Sequence, residues 1–384
     1  MHLNPAHRFQ HRYILGKTGV GKSTLMLSLM LEDIAAGDGL FYIDPHGQDA
    51  DRLLEYIPER RRRDVILFDP SDIRQPQPIN VLAGVAPDWR PFIASSVVDT
   101  FKSVWGYDGL ATPVLDQVLY NSTAALLEAP NATLFGIWRL LTDELYRTTI
   151  LEHVADPVVR GFWEREFAVL TPRERREMTR STLNKIGMLM ADPRIRATFG
   201  QARSAIDLPG VLQGKIMIAR LPQGRLGLSK TRVLGSILLA RLHAAALAQP
   251  PSTRFHIYLD ECHHFGTATL IEMLSGIRKF GVSLTLCHQY LDQLPLPLRQ
   301  AVLGSVGTKI VFRVGLADAE TLKHELPVNS VMSSVAETPP FQARVSTPSG
   351  EFLSYRLPTL PNERSAERAE KIRRWSRRHH SRNR

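Results

Sequence analysis

Residues 16–23 read GKTGVGKS and are the first segment whose residue types and spacing indicate chemistry. Gly16, Gly21, Lys22 and Ser23 match the phosphate-binding loop pattern. Glycines let backbone N–H groups curve around phosphates, and the N-terminus of the following helix adds a favourable dipole. Lys22 is expected to reach the β- and γ-phosphates and Ser23 to hold Mg²⁺. The predicted ATP-binding residues are Gly16, Lys17, Thr18, Gly19, Val20, Gly21, Lys22, Ser23 and Thr24.

A second candidate is the carboxylate pair Asp260–Glu261, which follows an apolar run at 255–259. In ATPases with this loop, an aspartate at such a strand end organises Mg²⁺, and a glutamate after it polarises the attacking water. Adjacent buried carboxylates repel, so a cation must lie nearby, and Mg²⁺ and Lys22 would supply the charge. The alternative is an acidic pair that caps helices, which the loop at Gly16 makes the weaker interpretation.

Two other interpretations of this region are disfavoured. Residues 260–263 spell the D-E-x-H box of superfamily-2 helicases, but the later arginine-rich motif and second RecA-like domain of those proteins are not evident. Structural zinc sites favour close ligand pairs on turns, whereas the two cysteines here adjoin or lie within predicted core strands. The zinc candidates would be Cys262, His263, His264, Cys287 and His288.

The elements that must position these residues follow from short apolar runs. Strand-like runs alternate with helical segments from residue 13 to 82 and again from 215 to 312, which predicts a parallel α/β sheet. The run of arginines at 60–63 is expected in a surface loop. Between 87 and 203 helical spacing replaces the strands, and prolines mark the boundaries, so an inserted helical subdomain is predicted.

The composition favours a soluble intracellular protein that binds a polyanion. The chain has 384 residues, 43% of them hydrophobic, with a net charge of +10, a pI near 9.8 and two cysteines. We find no apolar signal core and no run of 18 apolar residues. The expected localisation is the cytoplasm, with recruitment to the inner membrane by partners.

The positive charge is concentrated in two regions. Residues 363–384 contain nine Lys or Arg and three Asp or Glu, and either disorder or nucleic-acid binding would explain them. For the helical segment, ordinary salt-bridged surface and direct nucleic-acid contact both remain open. The basic residues of its second half are Arg160, Arg165, Arg173, Arg175, Arg176, Arg180, Lys185, Arg194, Arg196 and Arg203.

Together these segments resemble the FtsK–HerA superfamily of pumping ATPases, most of all its conjugative coupling-protein (TraG/TraD-like) and type IV secretion ATPase branch. Besides the phosphate loop, the resemblance is carried by IDPHG at 43–47, YLDE at 258–261, the stretch from RKFG to HQ at 278–289, and VGTKIVFRVG at 306–315. It implies an α/β RecA-like P-loop NTPase core with a mostly parallel central sheet and an inserted all-helical subdomain.

The resemblance also implies roles for three further residues. Gln289 would sense the γ-phosphate, and Arg278 would act as an arginine finger on the nucleotide of a neighbouring subunit, with Arg313 as the second candidate for that role. The catalytic set is therefore Lys22, Glu261, Gln289 and Arg278. The alternatives are a surface amide for Gln289 and, for Arg278, a cation at a helix C-terminus.

The implied domains are 1–86 as the first part of the ATPase core, 87–203 as the helical subdomain, 204–328 as the second part of the core, 329–362 as edge strands and loops, and 363–384 as a basic, disordered tail. The implied function is ATP-driven, Mg²⁺-dependent translocation of nucleic acid, with DNA expected, by a homohexameric ring in conjugation or a type IV secretion-like system. Partner proteins of that machinery are expected. The alternatives are an ATPase that energises protein secretion and an ATP-gated interaction module.

Three departures from the family pattern affect these expectations. Coupling proteins usually begin with membrane helices, and their absence here suggests that Met1 begins a truncated or minimal motor. Gln10 stands where some members have an arginine. Gln48 follows Gly47 where an acidic residue is usual.

Overall fold

The short apolar runs form a single sheet. In the computed structural model, which describes residues 9–107, 111–323, 325–326, 335–348 and 352–381, nine strands join in the order β3-β4-β2-β5-β6-β1-β7-β8-β9. They are β1 (Arg12–Leu15), β2 (Gly39–Asp44), β3 (Val65–Phe68), β4 (Ile216–Arg220), β5 (Phe255–Leu259), β6 (Val282–His288), β7 (Thr308–Val311), β8 (Gln342–Ser346) and β9 (Phe352–Arg356). Strands β1–β7 are parallel, and β8 and β9 are antiparallel. The predicted α/β class with a mostly parallel sheet is confirmed.

Helices connect the strands and form the segment between β3 and β4. They are α1 (Lys22–Ala36), α2 (Gln48–Tyr56), α3 (Arg90–Val104), α4 (Pro113–Glu128), α5 (Gly136–Thr142), α6 (Glu144–Leu151), α7 (Pro157–Gly161), α8 (Pro172–Met190), α9 (Pro193–Phe199), α10 (Leu208–Val211), α11 (Gln223–Leu226), α12 (Leu228–Ala248), α13 (Thr267–Gly276), α14 (Leu296–Ser305), α15 (Leu316–Lys323) and α16 (Ala366–His380). Strands that are buried along their length alternate with these helices, as in a sheet covered on both faces.

The chain divides into two compact units. The first comprises the N-terminal part up to Phe68 together with Leu208–Pro222 and Ala245–Ser376, and contains the whole sheet. The second comprises Asp69–Asp207, Gln223–Ala244 and the end of the chain from Arg377. The helical unit therefore begins nearer to β3 than the predicted boundary at 87, and it also takes up most of α12.

The register of the sheet brings the carboxyl ends of several parallel strands together, along the side of the sheet that we call its carboxyl edge; the opposite side is its amino edge. Leu15 at the end of β1 pairs with His288 of β6 and Val311 of β7. Leu259 at the end of β5 pairs with Leu286 of β6 and Ile43 of β2. Because these strands are parallel, the segments that follow them all leave from this carboxyl edge.

In the helical unit, proline and polar caps set the helix boundaries. Pro113, Pro157, Pro172 and Pro193 lie at the first position of their helices, where the missing N–H has no intrahelical partner to lose. At α8, Thr171 and Glu174 form a reciprocal capping box. The cap and the proline explain why helix formation begins at these points.

The C-terminal segment, for which disorder was expected, forms helix α16 as far as His380. Ala369, Ile372 and Ser376 are buried at helical spacing, so an amphipathic face offsets the charge of the segment. The Leu67 N–H of edge strand β3 donates to Ser376 Oγ at 2.8 Å. The helix therefore covers the outer side of β3, which would otherwise expose unpaired backbone groups.

The arginine run at 60–63 also differs from the expected surface loop. It lies in a 3₁₀ helix, Glu59–Asp64, and Arg61 is 8% exposed. The guanidinium of Arg61 donates to the carbonyls of Ile34, Asp38 and Gly214 at 2.8–3.2 Å. Arg61 therefore satisfies carbonyl groups of neighbouring connections, a structural role that charge composition does not reveal.

Candidate nucleotide-binding site

The phosphate loop leaves the carboxyl end of β1 and leads into α1. Gly19 and Gly21 have φ angles of 79° and 111°, which favour glycine. A Cβ atom on Gly16 would lie 2.6 Å from the Cβ of Phe312, so the close approach of the segment after β7 also requires glycine there. Lys22 is the first residue of α1, and its Nζ donates to the carbonyls of Gly16 at 2.7 Å and Lys17 at 3.0 Å. The ammonium is thus held over the loop.

Helix α1 presents its N-terminus to the same space. Its N-cap is Gly21, which offers no side-chain acceptor, and its first turn carries no acidic residue. The first backbone N–H groups of a helix lack intrahelical partners and attract anions. Ser23 and Thr24 lie in this turn and are partly exposed. The loop, the helix terminus and the ammonium together suit a phosphate chain.

Asp260 lies at the carboxyl edge directly after β5 and is 7% exposed. Burial, then the charges of Glu261 and Asp44, raise the pKa of Asp260 to about 7. An oxygen ligand in such an environment suits a hard divalent cation, whose charge would favour the ionised form. The residues present therefore fit the predicted Mg²⁺ site.

Asp44, from the IDPHG stretch, ends β2 at the same edge and serves the backbone. Its two carboxylate oxygens accept from the N–H groups of His46 and Ala50, both at 2.8 Å. Burial raises the pKa of Asp44, and these backbone hydrogen bonds act against that rise. The conformation of the turn, which includes Gly47 at a φ of 85°, is therefore fixed by the aspartate that precedes it.

A chain of hydrogen bonds joins the predicted catalytic glutamate to the phosphate loop. Gln289 Nε2 donates to Glu261 Oε1 at 2.7 Å, and Thr18 Oγ1 donates to Gln289 Oε1 at 3.1 Å. Glu261 is 7% exposed and adopts a φ of 46°, an unusual value for a side chain of this kind. The structure thus brings Glu261, Gln289 and the loop together from three separate segments, β5, β6 and β1.

Gln289 is held in place by residues that sequence reasoning did not single out. Gln293 Oε1 accepts from the N–H groups of Gln289 at 2.9 Å and Tyr290 at 3.1 Å. His288, fully buried, contacts the Tyr13 hydroxyl at 2.6 Å and Gln293 Oε1 at 3.2 Å. Burial lowers the pKa of His288 to about 3, so the ring is neutral. No sequence motif marked Gln293, because its role depends on a turn of only three residues.

The two candidate arginine fingers lie at opposite ends of the parallel strands. Arg278 is exposed and precedes β6 at the amino edge, where its charge helps to lower the pKa of His11, just before β1. Arg313 follows β7 at the carboxyl edge, and its carbonyl accepts from the Lys17 N–H at 2.9 Å. Arg278 therefore cannot reach the phosphate loop of its own chain, whereas Arg313 adjoins that loop.

The cysteines are part of the core. Cys262 and Cys287 are both fully buried, and burial raises the pKa of both thiols. The charge of Asp260 raises the pKa of Cys287 and that of Lys22 lowers it, so Cys287 lies near both the carboxylate and the ammonium group.

The basic residues of the helical unit fall into two groups, those with intramolecular partners and those exposed on α8. Several have intramolecular partners: Arg160 contacts the carbonyls of Leu151 and Val154, and Arg194 pairs with Asp192 at 2.7 Å. On α8, Arg176 and Arg180 are exposed, and neither forms an ion pair with another described residue. With Arg173, which is 84% exposed and pairs with Glu177, they form a stripe at spacings of three and four residues.

The fold and the site define a RecA-like P-loop NTPase architecture, and solved structures share it. The bacterial conjugative coupling protein TrwB, in an unbound form, superposes with a TM-score of 0.67 at 16% identity over 93% of this chain and 87% of that one. TrwB in complex with ADP and Mg²⁺ gives the same values. VirB4 of Thermoanaerobacter pseudethanolicus superposes with a TM-score of 0.60 at 17% identity, over 92% and 90% of the two chains.

These likenesses confirm the fold implied by the resemblance to the FtsK–HerA superfamily. No protein-family model matches the chain, and no curated protein matches it. At this level of identity the likeness concerns the fold alone.

One described helix, α12, is long and apolar enough to cross a membrane, but 78% of its most apolar 18-residue window is buried inside the protein. Core helices of soluble proteins pass the same test. The helix contains Lys230, Arg232 and Arg241, so it holds no unbroken run of 18 apolar residues.

Proposed function

We propose that the protein is an Mg²⁺-dependent ATPase of the FtsK–HerA superfamily, in its coupling-protein and type IV secretion branch. In this proposal it moves nucleic acid, with DNA expected, through a homohexameric ring. The observation that carries the proposal is the hydrogen-bonded series Thr18–Gln289–Glu261 beside the Lys22 loop. A loop that only bound a nucleotide would not need a buried glutamate, Glu261, that is hydrogen-bonded to it through the side-chain amide of Gln289.

The proposed ligand is ATP with Mg²⁺. Lys22 and the loop N–H groups would hold the phosphates, and Ser23 and Asp260 would hold the metal ion, which when bound neutralises developing phosphate charge. TrwB, with which this chain shares its fold, is described in complex with ADP and Mg²⁺, with a non-hydrolysable ATP analogue and with a GTP analogue. These complexes support a purine nucleotide as the ligand here.

Glu261 is the proposed base for hydrolysis. Its Oε1 accepts from Gln289, which leaves Oε2 to orient a water molecule, and His263 Nδ1 lies 3.4 Å from that second oxygen. The side-chain oxygen of Gln289 accepts from Thr18, within the loop that would contact the γ-phosphate. Loss of that phosphate would alter the position of Thr18, and Gln289 would transmit the change to β6. This coupling is the proposed origin of motion.

The ring proposal is supported by the position of Arg278. An exposed arginine at the amino edge of the sheet can stabilise phosphate charge only at a nucleotide bound by another chain, since its own loop lies at the opposite edge. Catalysis at such a junction requires at least two subunits, and a closed ring supplies the missing arginine to every site.

The α8 stripe of Arg173, Arg176 and Arg180 supports nucleic acid as the substrate. Exposed arginines at one helix face contact successive phosphates without reading sequence. Its expected contribution is electrostatic, so affinity should fall by about 0.9 log unit per log unit of salt for each phosphate neutralised. Replacing Arg176 and Arg180 with alanine should lower that slope by up to about 2.

The test is the ATPase rate of the purified protein with and without double- and single-stranded DNA, with oligomer size measured by mass photometry. We expect DNA to increase the rate and hexamers to be present. Lys22→Ala should abolish nucleotide binding, and Glu261→Gln should bind MgATP without hydrolysing it. Turnover that DNA leaves unchanged would favour a secretion ATPase, and slow turnover in monomers would favour an ATP-gated module. Either result would refute the translocase.

A further inference from the structure

Phe341 combines exposure with a strained backbone. It is 55% exposed and has a φ of 62°, in the left-handed region that disfavours a bulky side chain. A glycine at this position would avoid the strain. Strained residues of this kind concentrate at ligand sites, where the conformation is part of the function.

Phe341 lies at the open end of the β8–β9 hairpin, and that end rests on the phosphate loop. The first pair of the hairpin is Gln342 and Arg356, and the flanking Leu357 N–H donates to the Phe341 carbonyl at 3.0 Å. The Phe341 N–H donates in turn to the carbonyl of Val20, also at 3.0 Å. A segment more than 300 residues away in sequence is thus hydrogen-bonded to the loop itself.

The ring lies against Gly21, the N-cap residue of α1. A Cβ atom built on Gly21 would be 3.1 Å from Phe341 Cδ1 and would collide with Leu357. In a bound nucleotide, the loop N–H groups would cradle the α- and β-phosphates and Lys22 would reach the β- and γ-phosphates. The ribose and base would extend from the α-phosphate, which the N–H groups at the beginning of α1 would hold. Phe341 and Leu357 form an apolar surface at this position.

We propose that the ring of Phe341 stacks on the base of the bound nucleotide and, with Leu357, forms the base subsite. This inference rests on the proposed nucleotide binding and adds the residue that recognises the base. Stacking depends on the size of the π-face, so the subsite favours purines over pyrimidines. The strained φ of 62° is the conformation that directs the ring toward the nucleotide while the Phe341 N–H holds the loop.

If the ring of Phe341 had only a structural role, the variant Phe341→Gly would give a different result from the one that base stacking predicts. If the ring served only to pack against the loop, Phe341→Gly would lose that contact and weaken every ligand of the loop equally. If the ring stacks on the base, Phe341→Gly relieves backbone strain, so the melting temperature stays the same or rises while only base-containing ligands bind more weakly.

The experiment measures dissociation constants by calorimetry for MgATP, MgCTP and Mg-tripolyphosphate, which has no base. Phe341→Gly should weaken MgATP about tenfold, within the range of aromatic–base stacking, and leave tripolyphosphate unchanged. The preference for ATP over CTP should fall in the same variant. Phe341→Tyr should retain both. Leu353→Ala, which truncates an exposed apolar residue on the same hairpin, is the control and should bind all three ligands as the wild type does.

Unchanged MgATP affinity in Phe341→Gly would overturn the subsite while leaving the proposed ATPase intact. Equal weakening of MgATP and tripolyphosphate would also overturn it and assign the ring to packing. If the wild-type protein bound neither ligand, the nucleotide site itself would be refuted, and the subsite with it. In Lys22→Ala, which removes the ammonium and leaves Phe341 in place, binding of both MgATP and tripolyphosphate should be lost, and unchanged binding would show that they bind away from the loop.

Discussion

The buried His288 should make the stability of the unit that contains the sheet depend on pH in a defined window. Its pKa is about 3 in the folded protein and 6.5 when unperturbed, because burial disfavours the charged ring. Between these values the unfolded chain binds more protons than the folded one, so stability is present above pH 6.5 and is lost as pH falls toward 3. Replacing His288 with glutamine should remove this loss.

The magnitude follows from the two pKa values. At pH 8 the ring is neutral in both states and contributes almost nothing to the pH dependence. At pH 5 the unfolded state is favoured by about 1.4 kcal/mol for each unit below 6.5, which is about 2 kcal/mol. His11 and His243, whose pKa values burial lowers to about 4, act in the same direction, so the variant isolates one share of a larger effect.

The assay is urea unfolding at pH 8 and pH 5 of the wild type, His288→Gln and His153→Gln. His153 is exposed in the helical unit and controls for replacing a histidine as such. The loss between the two pH values should be about 2 kcal/mol smaller in His288→Gln than in either other protein. An equal loss in all three would refute the argument that the ring is buried neutral. The absolute stability of His288→Gln is not the readout, since the hydrogen bonds to Tyr13 and Gln293 also change.

The other predictions concern the nucleotide site and Asp192, the N-cap residue of α9. Gln289→Ala should lower ATP turnover about 100-fold with little change in MgATP affinity, as expected when one positioned polar group is lost; an unchanged rate would remove Gln289 from the mechanism. Arg278→Ala should lower turnover about 1000-fold, whereas Lys279→Ala, its exposed neighbour, should not. Mixing Arg278→Ala with Lys22→Ala subunits should restore part of the activity, and no rescue at any ratio would argue against catalysis between subunits. Asp192 has its pKa held well below the usual range by Arg194, so Asp192→Asn should destabilise the protein by about 1–2 kcal/mol at pH 7, and the difference should shrink below pH 4, where urea unfolding would measure it.

Local patterns were sufficient wherever the chemistry is continuous in sequence. Gly16 to Ser23 could be assigned to a phosphate loop because glycine spacing, lysine and the adjoining helix lie within a few residues of one another. The strand that precedes Asp260 was recognisable because a strand buried on both faces is mostly apolar in sequence. The helix starts at Pro113, Pro157, Pro172 and Pro193 follow from the same local logic.

Charge composition was a poorer guide because it does not report on partners. The arginines at 60–63 and the basic segment after 363 looked alike as solvated charge. Arg61 is instead buried among carbonyl groups, and the C-terminal segment forms a helix with three buried residues at helical spacing, of which Ser376 accepts from the Leu67 N–H of β3. In the helical unit, Arg194 is paired with Asp192 whereas Arg180 on α8 is exposed. Counting charges in the sequence could not predict which arginine would be paired.

By itself, the sequence predicted a phosphate loop, a carboxylate pair after a strand and the α/β class with a mostly parallel sheet, because glycine spacing, apolar runs and their alternation with helical segments are patterns within short stretches of the chain. The tertiary structure alone decided that Thr18, Gln289 and Glu261 form one hydrogen-bonded series, that Arg278 and Arg313 lie at opposite edges, and that Phe341 rests on the loop. Those relations depend on strand order and register, which are set by long-range pairing across more than 200 residues and leave no periodic trace in the sequence.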